Sequence, residues 1–234
     1  MFPLYLIIVM TTVIELTSSE PLKSYSVHSI KKKEIVMTGN GDDPEWKNAL
    51  ELTDFVYPWD KETAPHTSFK ALHNKDWLYC LYQVKDNDIN IFIKTNDKFD
   101  VLYSDRVEIF FRKNDQMSPY YGLEIDPHAR IYDYKADYQQ HDFTPTWFWP
   151  AGELVVKAST SKNGYTVEMA ISKKSLRQLE LLKGKSMEAG LYRGNCTEIT
   201  HDNSKFKWIS WVRPDSPTPN FHIPSSFGVL ELKD

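Results

Sequence analysis

After one apolar run at the start, Phe2 to Leu16, apolar and polar residues alternate in short stretches broken by turn residues. Period-two alternation marks half-buried strands, because successive side chains point to opposite faces. The pattern predicts strands over 67–72, 77–84, 106–112, 120–125, 130–134, 154–159, 165–171, 187–193, 206–212 and 227–232. Turn residues fill the gaps: His73-Asn74-Lys75-Asp76, Asp126-Pro127-His128-Ala129 and Lys162-Asn163-Gly164, the last an Asn-Gly hairpin signal. Asp43 before Pro44 predicts a short helix over 44–50, with Asp as N-cap and Pro at the first helical position. Ser172 predicts the cap of a second, with Leu176 and Leu179 on one face. Hairpin-joined strands with so little helix predict an all-β fold, an antiparallel β-sandwich of about ten strands and two short helices. No repeat or low-complexity linker divides it, so residues 20–234 are expected to form a single domain.

The opening run is too short for a comfortable membrane span of roughly 20 apolar residues. It fits the apolar part of a signal peptide, with Thr17 and Ser19 suited to cleavage, so residues 1–19 are expected to be removed and the protein exported. No Lys or Arg precedes the run, and the plain alternative is a buried N-terminal strand. No second apolar run follows, so the processed chain is expected to have no membrane span. Lys31-Lys32-Lys33 reads as a solvated start to the first strand.

Composition narrows the function classes. The 234 residues carry 28 basic and 32 acidic side chains, a net charge of −4, which argues against a nucleic-acid partner. Two cysteines make neither a disulfide framework nor a four-thiolate zinc site. Cys80 is expected to be an unpaired core residue, and a Cys80–Cys196 disulfide in an exported protein is the alternative.

Parity shows where polar groups gather. In 106–112, Val107, Ile109 and Phe111 share one face, and Arg106, Glu108, Phe110 and Arg112 the other. In 120–125, Glu124 lies opposite Tyr121, Leu123 and Ile125, so pairing of the two strands would gather Arg106, Glu108 and Glu124. That surface is either a solvated sheet with cross-strand charge pairs or a polar ligand face. Arg193 has the parity of Ala189 and Leu191; it either faces a ligand, the favoured reading, or pairs with Glu108 or Glu124. Trp147-Phe148-Trp149-Pro150 is a polar, aperiodic segment expected to leave its indoles exposed. Trp208 and Trp211 differ in parity, so at most one is core. A flat indole beside charged hydrogen-bonding groups suits a sugar, with its apolar C–H face and hydroxyl rim. The plain alternative packs each tryptophan against the core.

Several ordered blocks carry a resemblance. They are Gly41-Asp42-Asp43-Pro44-Glu45-Trp46, Asp105-Arg106-Val107-Glu108-Ile109-Phe110-Phe111, Tyr120-Tyr121-Gly122-Leu123-Glu124-Ile125-Asp126-Pro127, Tyr165-Thr166-Val167-Glu168-Met169-Ala170-Ile171, Gly190-Leu191-Tyr192-Arg193, Trp208-Ile209-Ser210-Trp211 and Phe221-His222-Ile223-Pro224-Ser225-Ser226-Phe227-Gly228. Together, over about residues 30–234, they resemble the family 9 carbohydrate-binding modules in the single-domain form of secreted bacterial proteins. The resemblance implies a DOMON-like β-sandwich that binds a polysaccharide or oligosaccharide, plant-type or other, without cleaving it, with two tryptophans clamping the terminal sugar. It implies structural calcium in some members. Arg106, Glu108, Glu124 and Arg193 match family positions on the polar face, and His222 lies in the last block. Trp149 and Trp211 are the clamp candidates by loop position rather than by motif, and their loss is expected to weaken binding without unfolding. The expected protein is a monomer with a carbohydrate partner.

Two other functions compete. A glycoside hydrolase, related to xylanases, would use Glu108 and Glu124 as its two carboxyls. Arg106 beside them is expected to lower both pKa values, which suits hydroxyl binding better than acid catalysis. A haem domain would need axial ligands from Met169, Met187, His201 and His222. Gly39-Asn40-Gly41-Asp42-Asp43 could hold calcium but lacks EF-hand spacing, and reads first as a plain loop.

Overall fold

The computed structural model describes residues 22–31, 34–200 and 203–234. The expected signal segment, Lys32, Lys33 and His201 lie outside these residues. The strands in chain order are β1 (Ser24–Ser29), β2 (Thr67–His73), β3 (Trp77–Lys85), β4 (Arg106–Arg112), β5 (Tyr120–Ile125), β6 (Ile131–Asp137) and β7 (Asp142–Thr144). There follow β8 (Leu154–Ser161), β9 (Gly164–Ser172), the helix α1 (Lys173–Gln178), β10 (Ser186–Ile199), β11 (Ser204–Ser210) and β12 (Gly228–Lys233).

All ten expected strands are present, nine within three residues of their bounds, while the one expected over 187–193 runs on to Ile199. Ser172 caps α1, its hydroxyl accepting from the Ser175 N–H, and Leu176 is fully buried. The segment after Asp43 is a 3-10 turn over Pro44–Asn48 rather than an α-helix, with the Asp43 side chain accepting from the Glu45 N–H. The first strand ends before Lys31, so the lysine run does not begin it.

The sheet is mixed, and the antiparallel-only expectation is corrected. β1 runs parallel to both β12 and β2, while the other strand pairs are antiparallel. Hydrogen bonding follows one path, β7-β6-β5-β4-β10-β12-β1-β2-β3-β9-β8, with β11 on β10 as well. The long β10 makes this branching possible: Ser186 to Ala189 pair β12, and Tyr192 to Ile199 pair β11.

The sheet curls so that its two halves enclose one core. Val107, Ile109 and Phe111 of β4 and Leu123 of β5 meet Phe69 of β2, Tyr82 of β3 and Met169 of β9 there. The Tyr82 hydroxyl donates across this core to the Glu108 carbonyl at 3.0 Å. A second cluster fills the opposite face of β4, where Phe110, Tyr134 and Tyr192 pack with Phe221 and Phe227. β4 is therefore buried on both faces, as is β5. Cys80 and Cys196 are free and buried.

Other polar residues complete local structure. Glu168 is fully buried and accepts from the N–H groups of Thr38 and Gly39 and from Trp46 Nε1. It fastens the loop suggested for calcium. In that loop Asp43 accepts from the Glu45 and Val36 N–H groups, and Asp42 from the Thr38 hydroxyl. Among the described residues no group of three or more His, Cys, Asp or Glu is placed to hold a metal ion. The Asp42 and Asp43 oxygens named here are engaged by hydrogen bonds within the loop. No helix among the described residues is long and apolar enough to cross a membrane.

Candidate functional site

The site begins with alternation in β4. It sends Arg106 and Glu108 to the face opposite the main core. Antiparallel register then sets Glu108 directly across from Glu124 of β5. Two like charges opposite one another repel. Arg106 answers both: its Nε lies 2.6 Å from Glu124 Oε2 and 2.9 Å from Glu108 Oε1. The single Nε–H donates to Glu124. Glu108 Oε1 is left buried with no hydrogen bond. A buried acceptor without a donor is costly and points to a ligand or water group that completes it.

The guanidinium is also held from its other sides. Its Nη1 donates to the Leu102 carbonyl at 3.1 Å. Its carbon lies 4.9 Å from the Phe206 ring centroid and 5.2 Å from that of Trp208, a cation–π arrangement. Register explains this approach: Gly194 of β10 pairs with Arg106 on one side and Trp208 on the other. A Cβ at Gly194 would stand 3.2 Å from Arg106 Nη1 and 3.3 Å from Trp208 Cζ3. A side chain at this position would press on both where they converge over β10. Gly194→Val is expected to overpack this crossing and lower stability by about 1–3 kcal/mol, read from the urea midpoint.

Arg106, Glu108, Glu124 and Trp208 line a cavity of about 200 Å³ with Trp59, Pro219, Asn220, Phe221 and His222. Phe221 anchors the covering segment. It stacks on Tyr192 at 4.2 Å and meets Trp208 edge-on at 5.8 Å. Trp59 packs on Phe221 at 5.3 Å and donates its Nε1–H to the Ser216 carbonyl. His222 keeps solvent exposure, but its ring crowds Phe110 and Tyr120 and its Nδ1 meets the Tyr120 hydroxyl at 2.9 Å.

Burial decides the charge states. It pushes the Glu108 carboxyl up to about 8, helped by Glu124 and opposed by Arg106. It raises Glu124 as well, again against Arg106. Arg106 does lower both, as expected, but desolvation outweighs one shared guanidinium, so the expected net lowering is corrected. Crowding of its ring, then the Arg106 charge, holds His222 well below the ordinary histidine value, so the imidazole stays neutral.

The structure brings together Arg106, Glu108, Glu124 and His222 from the sequence expectation. It does not bring Trp149, Trp211 or Arg193 to them. Trp149 is buried in the main core, where Tyr121 and Phe111 flank it and its Nε1–H donates to Ser175. The loop does bury its second indole, because the Trp149 N–H is taken by the Asp133 carboxylate. Trp211 is 1 % exposed in the same core. Arg193 pairs in register with Val107 and so shares the core face; it is fully buried and ion-paired with Asp86, not with Glu108 or Glu124. Met169 and Met187 also lie in the main core, on the far side of β4 from His222.

Trp208 and Phe221 stand in the resembling blocks without a site role assigned to them, and Trp59, Pro219 and Asn220 carry no motif in the sequence. A signal existed for Trp208. Ile209 shares the parity of Trp211, which marks that side as core and leaves Trp208 for the other.

A rigid β-scaffold that offers one small pocket with charged groups at its floor and aromatic walls defines a ligand-binding module. The chain belongs to the carbohydrate family 9 binding domain-like family, whose model matches residues 37–234. The fold is shared with a candidate carbohydrate-binding protein from Bacteroides uniformis ATCC 8492, with TM-score 0.70 and 17 % identity over 91 % of this chain and 100 % of that one. It is also shared with a family 9 carbohydrate-binding module from Caldicellulosiruptor kristjanssonii solved with glucose, with TM-score 0.57 and 20 % identity over 90 % of this chain and 96 % of that one. The same organism's family 9 module solved with cellotriose gives TM-score 0.58 and 20 % identity over 90 % and 94 %. No curated protein sequence matches the chain.

Proposed function

We propose that this protein binds a carbohydrate, without cleaving it, in the pocket between β4, β5, β11 and the segment 219–222. Family membership supports the ligand class. The observation that carries the site is the unsatisfied Glu108 Oε1, buried beside Arg106 and Glu124 within aromatic walls. A pyranose offers hydroxyl groups that can both donate to and accept from such a carboxyl group, and a C–H face to Trp59 or Trp208. Hydrogen bonds to charged groups give direction, and the rings give contact area.

The raised Glu108 pKa is the one feature that favours a hydrolase, whose general acid must hold a proton. Position argues against it. A glycosidase keeps its carboxyls on either side of the scissile bond, ~5–5.5 or ~6.5–9.5 Å apart. Here both carboxyls reach the same Arg106 nitrogen, which fills the place a sugar's reacting carbon would need.

Trp208→Ala is expected to weaken glycan binding by about tenfold or more, as truncation of an aromatic anchor does, with far less loss of stability than Trp211→Ala. A glycan array followed by calorimetric titration of the best ligand checks it. Wild-type affinity in both Trp208→Ala and Trp59→Ala would remove the pocket from consideration.

Two coarser points extend this reading. The halves of the curled sheet are taken as the leaves of a sandwich, on the strength of the single core between them. Residues 1–19 are taken as an export signal, on the strength of the apolar run ending at Thr17-Ser18-Ser19. Mass measurement of the protein recovered from a secreting host tests the second.

A further inference from the structure

A second cavity, of about 450 Å³, lies where β1 and β2 end and α1 begins. His73, the turn Asn74 to Asp76 and Lys173 line it, with Ser29 and Ile30. Its size falls within the roughly 300–1,000 Å³ of small-molecule sites, and it shares no residue with the pocket of Arg106, Glu108 and Glu124. Register builds it. β3 pairs with β2 on one side and β9 on the other, setting Leu78 beside His73 and Trp77 beside Ser172. The end of β2 and the start of α1 therefore meet over the turn, where the Lys173 N–H donates to the Asp76 carbonyl at 2.8 Å. Lys173 Nζ lies 2.8 Å from His73 Nδ1 and donates to the Asn74 carbonyl at 2.6 Å. His73 Nε2 lies 2.9 Å from the Lys233 carbonyl, while Nδ1 is 3.4 Å from the Asn74 carbonyl. A carbonyl only accepts, so the nearer nitrogen, Nε2, carries the ring proton and Nδ1 is the bare acceptor facing the amine.

Lys173 is 5 % exposed and His73 8 %. A buried lysine is ordinarily held by a carboxylate. Among the described residues none pairs with this one, and Asp76 pairs with Lys75 instead. Burial, then the Arg177 charge, brings the Lys173 ammonium down to about 8, against the opposing charge of Asp76. Burial and the Lys173 charge also hold His73 below the ordinary histidine value, against the Lys233 and Asn74 carbonyls and the charge of Asp234. Lys75 completes the charged groups at the cavity, and the end of β1 adds Ser29 and Ile30, which do not titrate. An amine beside a base that a third group orients is the arrangement of an activated nucleophile. We infer that Lys173 is a reactive amine that captures small aldehydes from this cavity as an imine, with His73 as its proton relay. In that step the Nζ lone pair forms a bond to the carbonyl carbon while the C=O π pair moves to oxygen. His73 Nδ1 takes the surplus proton from nitrogen and returns it to that oxygen. A second proton passed by the same route releases the oxygen as water and leaves a C=N bond. One amine and one aldehyde give one imine and one water, with nothing oxidised or reduced.

The test incubates the full chain with limiting propanal and cyanoborohydride, which fixes any imine as a stable propyl-lysine, and locates the label by peptide mapping. At about pH 7, Lys173 is expected to label at least about tenfold faster than any other lysine, because its amine deprotonates nearer that pH than an ordinary lysine at ~10.4. The preference is expected to vanish when the chain is unfolded in urea. Labelling of Lys173 no faster than that of the other lysines, or a preference that survives in urea, overturns the proposal. His73→Ala removes the relay and leaves space for a free imidazole. It is expected to slow Lys173 labelling about tenfold or more, the span of one acid–base group at its lower end, and added imidazole is expected to restore the rate. A variant that labels at the wild-type rate, or that imidazole does not restore, overturns the relay, since a merely structural His73 would give one of these two results.

Discussion

Arg106→Ala is expected to lower stability by roughly 3–5 kcal/mol, the cost of stranding buried charge by removing its partner. Glu108 and Glu124 lie opposite each other, both almost fully buried, and Arg106 is the cation ion-paired with each. Without it, neither carboxylate has its Nε contact, and the packing of Phe206 and Trp208 on the guanidinium is lost as well. The effect depends on pH, and its sign follows from the shifts. Glu108 has a folded pKa of about 8 against an ordinary 4.5, so the folded state holds more protons between those values. Its contribution is complete below the ordinary value and is lost as pH rises toward 8. Glu124 is shifted in the same direction. Wild-type stability therefore declines across that window. In Arg106→Ala the decline is steeper and reaches higher pH, because loss of the cation raises both carboxyls further. Acid partly rescues the variant by protonating the pair. Urea midpoints at about pH 5, 7 and 9 read this directly. Equal destabilisation at all three values would mean that Arg106 acts by packing alone. Arg106→Lys keeps the charge but not the forked geometry, and is expected to recover part of the loss.

The same cluster shows what alternation makes legible. Parity alone places Arg106, Glu108 and Glu124 on one face, because every strand side chain alternates and β4 and β5 form a hairpin. What parity does not reveal is the cover. Trp59, Asn220 and Phe221 reach the pocket from aperiodic segments distant along the chain, whose paths depend on tertiary contacts such as Phe221 on Tyr192. The alternation does not announce β1 or β7 for a related reason. β7 is only three residues long, and β1 owes its place to parallel pairing with β12 and β2, a nonlocal choice. Arg193 is the instructive polar case. Its inward parity is right, yet its partner Asp86 lies just past the end of β3, which no local pattern announces. Asp105 and Asn195 are similar: one carboxylate accepts from Asn90 and Cys196, and one side chain accepts from Arg193, to tie loops to the sheet.

The two tryptophans of the Trp208-Ile209-Ser210-Trp211 block are expected to behave oppositely. Trp211→Ala is expected to cost about 3–5 kcal/mol of stability, the range for deleting a large buried aromatic, and about 10 °C or more in Tm. The indole is 1 % exposed and belongs to the main core. It lies so close on β12 that a Cβ at Gly228 would come within 2.5 Å of Trp211 Cζ3. Its backbone is fixed too, the N–H donating to the Leu191 carbonyl and the carbonyl accepting from Lys23 Nζ. No rearrangement of one strand can fill the space it leaves, since its neighbours come from β10, β12 and the loop before β1. Sugar affinity measured well below the lowered Tm is expected to match wild type, because Trp211 lines no part of the pocket. Trp208→Ala reverses the pattern: its indole is half-buried at the pocket wall, so affinity falls and Tm moves far less than in Trp211→Ala. Trp211→Phe, which keeps an aromatic ring in the core, is expected to return most of the stability. Thermal unfolding and one titration on each variant separate the roles. A Trp211→Ala protein that kept its Tm and lost its sugar would restore Trp211 to the clamp and move the binding face to the other side of β11.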